Sequence, residues 1–172
     1  CNLARNKSMA IIKAILACDE QWGIGKDGDL PWPRNPADLK WFKESTLNDT
    51  VVMGKATWDS LPIKPLPQRR NMVVTSGAWE SLDGDVACLN FEDTLGALTE
   101  LKKFSGANDV WIIGGAQLIT GLIHIIDEFH LSRISGSYDC DTFLPSTVIQ
   151  ELYTLTSSQF HEDVYVDIWS KR

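Results

Sequence analysis

The sequence predicts a single α/β domain: a mostly parallel central β-sheet with an antiparallel C-terminal edge strand, flanked by about four helices. Three observations predict it. The chain has 172 residues, enough for one sizeable core and short for two. Apolar, β-branched runs at 11–17, 50–53, 71–76, 86–89 and 109–113 alternate with helical patterns, as strands joined by crossovers do. Near the end, strands at 129–134 and 164–170 come consecutively, which points to antiparallel pairing there.

Residues 1–8 are polar and Met9 opens an apolar stretch, so 1–8 reads as an N-terminal tail or cloning remnant and 9–172 as the domain. The first strand, 11–17, is a nearly continuous apolar run, as expected of a strand buried on both faces. Trp22-Gly23-Ile24-Gly25-Lys26-Asp27-Gly28-Asp29 follows. Its closely spaced glycines make a mobile loop whose end is fixed by Pro31 and Trp32. Asn35 and Pro36 then read as the cap and first residue of a helix ending near Thr46. The Asn oxygen can accept a free N–H, and proline has none to leave unpaired.

After the strand at 50–53, Gly54 gives way to a short helix beginning at Lys55. Such a strand-to-helix step exposes backbone N–H groups able to hold a phosphate. Pro62, Pro65 and Pro67 forbid regular structure. Strands at 71–76 and 86–89 follow, and Asn90 caps a helix whose Phe91, Leu95, Leu98, Leu101 and Phe104 recur every three or four residues. The strand at 109–113 ends in Gly114-Gly115, before a helix at 116–123.

Composition excludes several classes. With 44% hydrophobic and 23% charged residues the chain reads as an ordinary globular protein. No apolar run approaches the roughly eighteen residues that cross a bilayer, so no membrane partner is expected. A formal charge of −7 with no basic stripe argues against nucleic acid. Any anionic ligand must therefore be held by local basic groups. Cys1, Cys18, Cys88 and Cys140 have no paired spacing, and His124, His130 and His161 are scattered. Reduced thiols in a cytoplasmic protein, and no metal, are expected.

The stretch with chemical content is 30–44, Leu-Pro-Trp-Pro-Arg-Asn-Pro-Ala-Asp-Leu-Lys-Trp-Phe-Lys-Glu. On a helix from Pro36, Asp38, Leu39 and Phe42 share one face while Lys40, Lys43 and Glu44 go to solvent. An acid in apolar company suggests a pocket. Read alone, Asp38 is also what the positive end of a helix dipole favours. Likewise, a lone Gly-Gly after a strand is often only a tight turn, and it is not the G-x-G-x-x-G dinucleotide fingerprint.

Together with the glycine-rich loop before it, this stretch resembles the dihydrofolate reductase family. The resemblance continues in order through Val51-Val52-Met53-Gly54-Lys55-Ala56-Thr57-Trp58, Pro65-Leu66-Pro67-Gln68-Arg69, Ile112-Ile113-Gly114-Gly115 and Asp141-Thr142, covering about residue 11 to the C-terminus. It implies hydride transfer from NADPH to C6 of dihydrofolate, with a proton added at N5, in a monomer that also takes antifolate-type small molecules. The catalytic group it implies is Asp38, with Trp32 anchoring a water and Leu30 on a closing loop. For the substrate it implies Ala17, Asp38, Leu39, Phe42, Ile63, Leu66, Ile113 and Ser132, with Arg69 gripping the glutamate α-carboxylate. For the cofactor it implies Ala17, Ile24, Gly25 and Leu30 near the nicotinamide, with Ile113 and Thr142 also in contact. Gly54, Lys55, Thr57, Thr75 and Ser76 would lie at the adenosine phosphate, and Gly114 to Leu118 (with Ala116 and Gln117) at the pyrophosphate. The Gly-Gly peptide is commonly cis in the family.

Two departures stand out. Lys55 and Ala56 replace an arginine and a basic residue common in bacterial members, which thins the 2′-phosphate site, and Ile119 replaces a tyrosine near the nicotinamide. Two other readings are a riboflavin-pathway reductase of the same fold and a non-catalytic binding or structural protein on this scaffold. The first family does not combine Leu-Pro-Trp with Ala-Asp-Leu-Lys-Trp-Phe. The second would have no use for Asp38.

Overall fold

The apolar runs of the sequence become the strands of one sheet. The computed structural model describes residues 11–27, 29–33, 35–76, 86–103, 108–162 and 164–172. The expected tail at 1–8 and Phe104 lie outside these residues. In chain order the elements are β1 (Ile12–Cys18), β2 (Gly23–Gly25), α1 (Pro36–Thr46), β3 (Thr50–Gly54), α2 (Lys55–Ser60), β4 (Arg70–Val74), β5 (Val86–Leu89), α3 (Phe91–Leu101) and β6 (Val110–Gly114). Then come α4 (Ala116–Leu122), a 3₁₀ turn (Ile123–Ile125), β7 (Glu128–Arg133), β8 (Thr142–Phe143), α5 (Ser146–Leu152), β9 (Tyr153–His161) and β10 (Val164–Lys171).

Eight strands pair in the order β5-β4-β3-β6-β1-β7-β10-β9. The first six are mutually parallel; β10 is antiparallel to both β7 and β9. β1 sits centrally, and its period of two divides the core. Ile12, Ala14 and Cys18 face one cluster with Leu98 of α3, Leu118, Ile119 and Leu122 of α4, and Ile149 of α5. Ile15 faces the other with Val51, Met53, Trp58, Val73 and Trp111, beneath Trp41 and Phe42 of α1. Each fully buried aliphatic side chain contributes roughly 1.5–3 kcal/mol, and the two clusters pack helices onto both faces of the sheet.

The apolar run of β1 hides one charge. Lys13 is buried, 3.1 Å from Asp109 and over the Trp111 ring at 4.5 Å. Pairing offsets a desolvation cost that a lone ammonium could not bear.

Helix α1 begins where expected. Asn35 Oδ1 accepts from Ala37 N at 3.0 Å and Asp38 N at 3.2 Å, with Pro36 at the first helical position. Asn90 caps α3 in the same way, accepting from Asp93 N at 2.7 Å.

Three expectations change. There are five helices among the described residues, because α5 forms after Pro145. The antiparallel edge is two strands wide, β10 and then β9. The glycine-rich loop is not wholly irregular, since β2 pairs with β8, matching Gly23 to Phe143 and Gly25 to Thr142. No described helix is long and apolar enough to cross a membrane.

Candidate active site

A cavity of about 400 Å³ opens at the carboxyl ends of β1 and β6, the end at which parallel α/β sheets bind ligands. The chain reaches it from four directions. β1 contributes Ala17, the β2 loop contributes Ile24, Gly25 and Leu30, and α1 contributes Asp38, Leu39 and Phe42. On the far side are Thr57 of α2, Ile113 and Gly114 of β6, and Gly115 and Ala116 at the start of α4, with Thr142 of β8 closing the wall. Thirteen residues expected from the sequence therefore meet around one space.

Asp38 is the carboxylate of the wall at the α1 end. Burial pushes its carboxyl above the usual range, and a hydrogen bond from the Ser132 side chain only partly opposes this. Of the two influences on it, burial is the larger. Ser132 is buried on β7, opposite Ala17 on β1. It does not line the cavity wall.

At the other end the backbone itself approaches the space. The Gly114-Gly115 peptide is cis. Gly114 has φ of +140°, and a Cβ there would lie 3.2 Å from Thr57 Oγ1, so a side chain is excluded by conformation and by space. Gly54 faces this peptide, its Cβ position 3.8 Å from Gly115 N. Gly54 and Gly115 are the N-caps of α2 and α4, and neither offers a side chain to close the first helical amides. Two helix starts thus converge with their N–H groups uncapped by side chains, a donor set suited to phosphate oxygens.

Other expected residues lie around rather than in this space. Trp32 is buried and packs edge-on to Tyr138 with centroids 5.8 Å apart. It lines a neighbouring cleft with Asn35, Arg133 and Ile134. Arg69 donates through Nε to Pro67 O at 2.9 Å and through Nη1 to Thr46 Oγ1 at 3.1 Å, with its guanidinium 6.0 Å from the Phe42 ring centre. Burial lowers its pKa. It lines a polar basin with Asn48, Gln68 and Arg70, outside the main cavity. Leu66, like Phe42, packs against the second core cluster, whereas Ile63 is 65% exposed.

Lys55 forms an ion pair with Asp59 one helical turn on. Thr75 N donates to Leu89 O at 2.9 Å just beyond β4, with exposed Ser76 next to it. Gln117 is exposed, whereas Leu118 packs in the first core cluster and does not line the cavity. Ile119 is fully buried in the same core cluster.

The cavity also includes residues that sequence reasoning did not place in a site, Ile15, Leu16, Asp29, Ser60 and Leu61, together with Ala56, noted there only as a departure at the 2′-phosphate. Two signals were available. Ile15 lies two residues before Ala17, on the same strand face, and Ser60 and Leu61 follow Thr57 by three and four residues. Asp29 has no such signal. Among the described residues no cluster of three or more His, Cys, Asp or Glu could hold a metal ion.

A family model described as dihydrofolate reductase matches residues 11–167. Dihydrofolate reductase from Bacillus subtilis is 36% identical over 135 residues, 78% of this chain and 76% of that protein. A bifunctional dihydrofolate reductase-thymidylate synthase from Glycine max is 36% identical over 147 residues, 77% of this chain. The chain spans only 28% of that relative's length. A solved structure of dihydrofolate reductase from Enterococcus faecalis, complexed with NADP(H) and RAB-propyl, superposes with a TM-score of 0.79 at 28% identity, covering 96% of this chain and 99% of that one. The match runs from before β1 into β10, through every element that builds the cavity, and the chain belongs to the dihydrofolate reductase family.

Proposed function

We propose that this chain catalyses the NADPH-dependent reduction of 7,8-dihydrofolate to 5,6,7,8-tetrahydrofolate, supporting one-carbon metabolism and thymidylate synthesis, as a cytoplasmic monomer that binds antifolates at the same site. The observation that carries the reading is Asp38, a largely withdrawn carboxylate in the wall of a cavity whose opposite end is backbone at Gly114 and Gly115. Family membership and the solved complex of the Enterococcus faecalis relative with NADP(H) support it.

The residues fit the cofactor. A side chain at Gly114 would fill the space the backbone leaves open, and the uncapped starts of α2 and α4 suit a pyrophosphate and a ribose phosphate. Gly54, Lys55, Thr57, Thr75 and Ser76 would hold the adenosine end, and Gly114 to Leu118 the pyrophosphate. Ala17, Ile24, Gly25, Leu30, Ile113 and Thr142 would enclose the nicotinamide. NADPH supplies the hydride when bound.

The chain's own work is to orient the pterin and manage one proton. Two oxygens of Asp38 can accept the adjacent ring N–H and exocyclic amine, a bidentate geometry that fixes the ring plane. The Ser132 side chain would help to orient the carboxylate. Leu39, Phe42, Ile63 and Leu66 would flank the pterin and benzoyl groups. Arg69, already oriented by Pro67 and Thr46, would take the glutamate carboxylate. Leu30 and Ile24, both lining the cavity, would exclude water from the reacting carbon. Trp32 would anchor the water through which the proton reaches N5. The direct test is the loss of NADPH absorbance on adding dihydrofolate. No loss, with both ligands binding, would leave a binding protein on a reductase scaffold.

A further inference from the structure

Asp19 follows β1 directly and is fully buried. Neither ligand is expected to touch it, yet it is the most heavily bonded side chain near the cavity. Oδ1 accepts from Gln21 N at 2.9 Å and Gly23 N at 2.8 Å. Oδ2 accepts from Tyr138 N at 3.1 Å and from the Cys140 thiol at 3.4 Å. Among the described residues it forms no ion pair with any cation. A buried carboxylate of this kind is tolerated only when its lone pairs are met by donors. Burial raises the Asp19 carboxyl, but the bonds from Gly23, Tyr138, Gln21 and Cys140 outweigh it and hold the group below its ordinary range.

The two oxygens serve different parts of the chain. Gln21 and Gly23 lead into Ile24 and Gly25, and Tyr138 and Cys140 lead into Thr142; these are neighbouring contributors to the cavity lining, with Gly25 paired to Thr142. Around the carboxylate the segments also meet through Glu20 N to Gly136 O at 3.1 Å, Leu144 N to Trp22 O at 3.0 Å and the β2–β8 pairing. The junction has no slack. A Cβ on Gly23 would lie 2.5 Å from both Cβ and Sγ of Cys140.

We propose that Asp19 is a positioning residue for the reduction: its carboxylate fixes segment 21–25 against segment 138–142 and so sets the wall that Ile24, Gly25 and Thr142 place beside the reacting groups. The proposal rests on the reductase reading and extends it to a residue outside both ligand sites. Because α1 and Arg69 are untouched by the staple, loosening it slows the chemical step without weakening dihydrofolate binding.

Asp19→Asn tests this. Whichever way the amide is turned, its NH₂ faces two donors, so one of the two segments is released. Cys140→Ala removes a single donor and is the milder variant. Amide hydrogen exchange of 19–25 and 136–142 should quicken about tenfold in Asp19→Asn, with kcat down about tenfold and KM for dihydrofolate within about twofold. Cys140→Ala should move the same readouts in the same direction by less. Unchanged kcat, unchanged exchange, or an equal loss in kcat and in dihydrofolate affinity overturns the proposal. If Asp19→Asn does not fold, Cys140→Ala decides on the same criteria. A wild-type chain without turnover sinks the reductase reading and the proposal with it; normal wild-type turnover with unaltered variants sinks only the proposal.

Discussion

Asp38 and Asp19 are both withdrawn from water beside one cavity, and their carboxyl groups are driven in opposite directions. Asp38 has one side-chain donor, Ser132, and burial raises it. Asp19 has four donors and is lowered although it has no exposed surface. The difference teaches that the donors a withdrawn carboxylate collects help to decide what it becomes. With its bonds complete, Asp19 is a fixed charge that ties two segments together. With its bonds incomplete, Asp38 keeps acceptor capacity for a ligand and a pKa nearer the range in which protons exchange.

Asp38→Asn gives the largest expected effect. It keeps the shape of α1 and should leave NADPH affinity intact while turnover at neutral pH falls at least about a hundredfold, as when a positioned proton-handling group is lost. Stopped-flow turnover with a parallel NADPH titration checks both halves; a matched loss of NADPH binding would mean that the cavity itself had collapsed.

Stability should separate the two acids by sign. For Asp19 the folded pKa lies below the unfolded one, so its contribution is present above the ordinary carboxylate range and is lost as pH falls through the folded value. For Asp38 the folded pKa is the higher, so the folded chain binds the proton more tightly and stability falls as pH rises through that window. At neutral pH Asp19→Asn should destabilise by about 3 kcal/mol, because buried donors lose their acceptor. Asp38→Asn should stabilise by about 1 kcal/mol, as removal of an active-site strain commonly does. Urea unfolding of both variants reads this directly, and a shared sign would erase the distinction between them.

Arg69→Leu should weaken dihydrofolate binding by about 2 kcal/mol, the scale of a lost charge-assisted pair. An analogue lacking the glutamate should be nearly indifferent. Equal losses would make Arg69 a structural link between Pro67 and Thr46. The smallest effect is expected at Lys55, which already shares its charge with Asp59. Lys55→Ala should erode the preference for NADPH over NADH by about 1 kcal/mol or less, leaving NADH kinetics unchanged. Loss with both cofactors would remove Lys55 from the 2′-phosphate.

The Asp38 side of this comparison was legible in the sequence and the Asp19 side was not. Asn35-Pro36 announces the start of α1 locally, and helical spacing then puts Asp38 with Phe42, so no tertiary information is needed. The bonds from Tyr138 and Cys140 to Asp19 span more than a hundred residues and leave no local trace. The same reason hides β2 and β8, which are three and two residues long and stabilise each other only after the chain has closed. β9 escaped for another reason. As an edge strand, Tyr153–His161 is mostly exposed and buries only Tyr153, so its alternation is faint. α5 lacks a side-chain cap, and its apolar Val148, Ile149 and Leu152 are too few to announce a helix. Ser132 was expected beside the substrate by resemblance; its hydrogen bond to Asp38 is a contact between β7 and α1 that spacing cannot predict.

The central claim is that Asp38 is the proton-handling group of the cavity, and the pH dependence of turnover at saturating NADPH tests it most directly. The wild-type rate should rise as pH falls and then level off, reporting an apparent pKa above the ordinary carboxylate range, in the direction that burial drives Asp38. Asp38→Asn should start far lower at neutral pH and keep rising with acid, because substrate already protonated in solution no longer needs the carboxylate. Near wild-type turnover of the variant at neutral pH, with the same plateau, would contradict the account and leave Asp38 as an acid that merely suits the first turn of a helix.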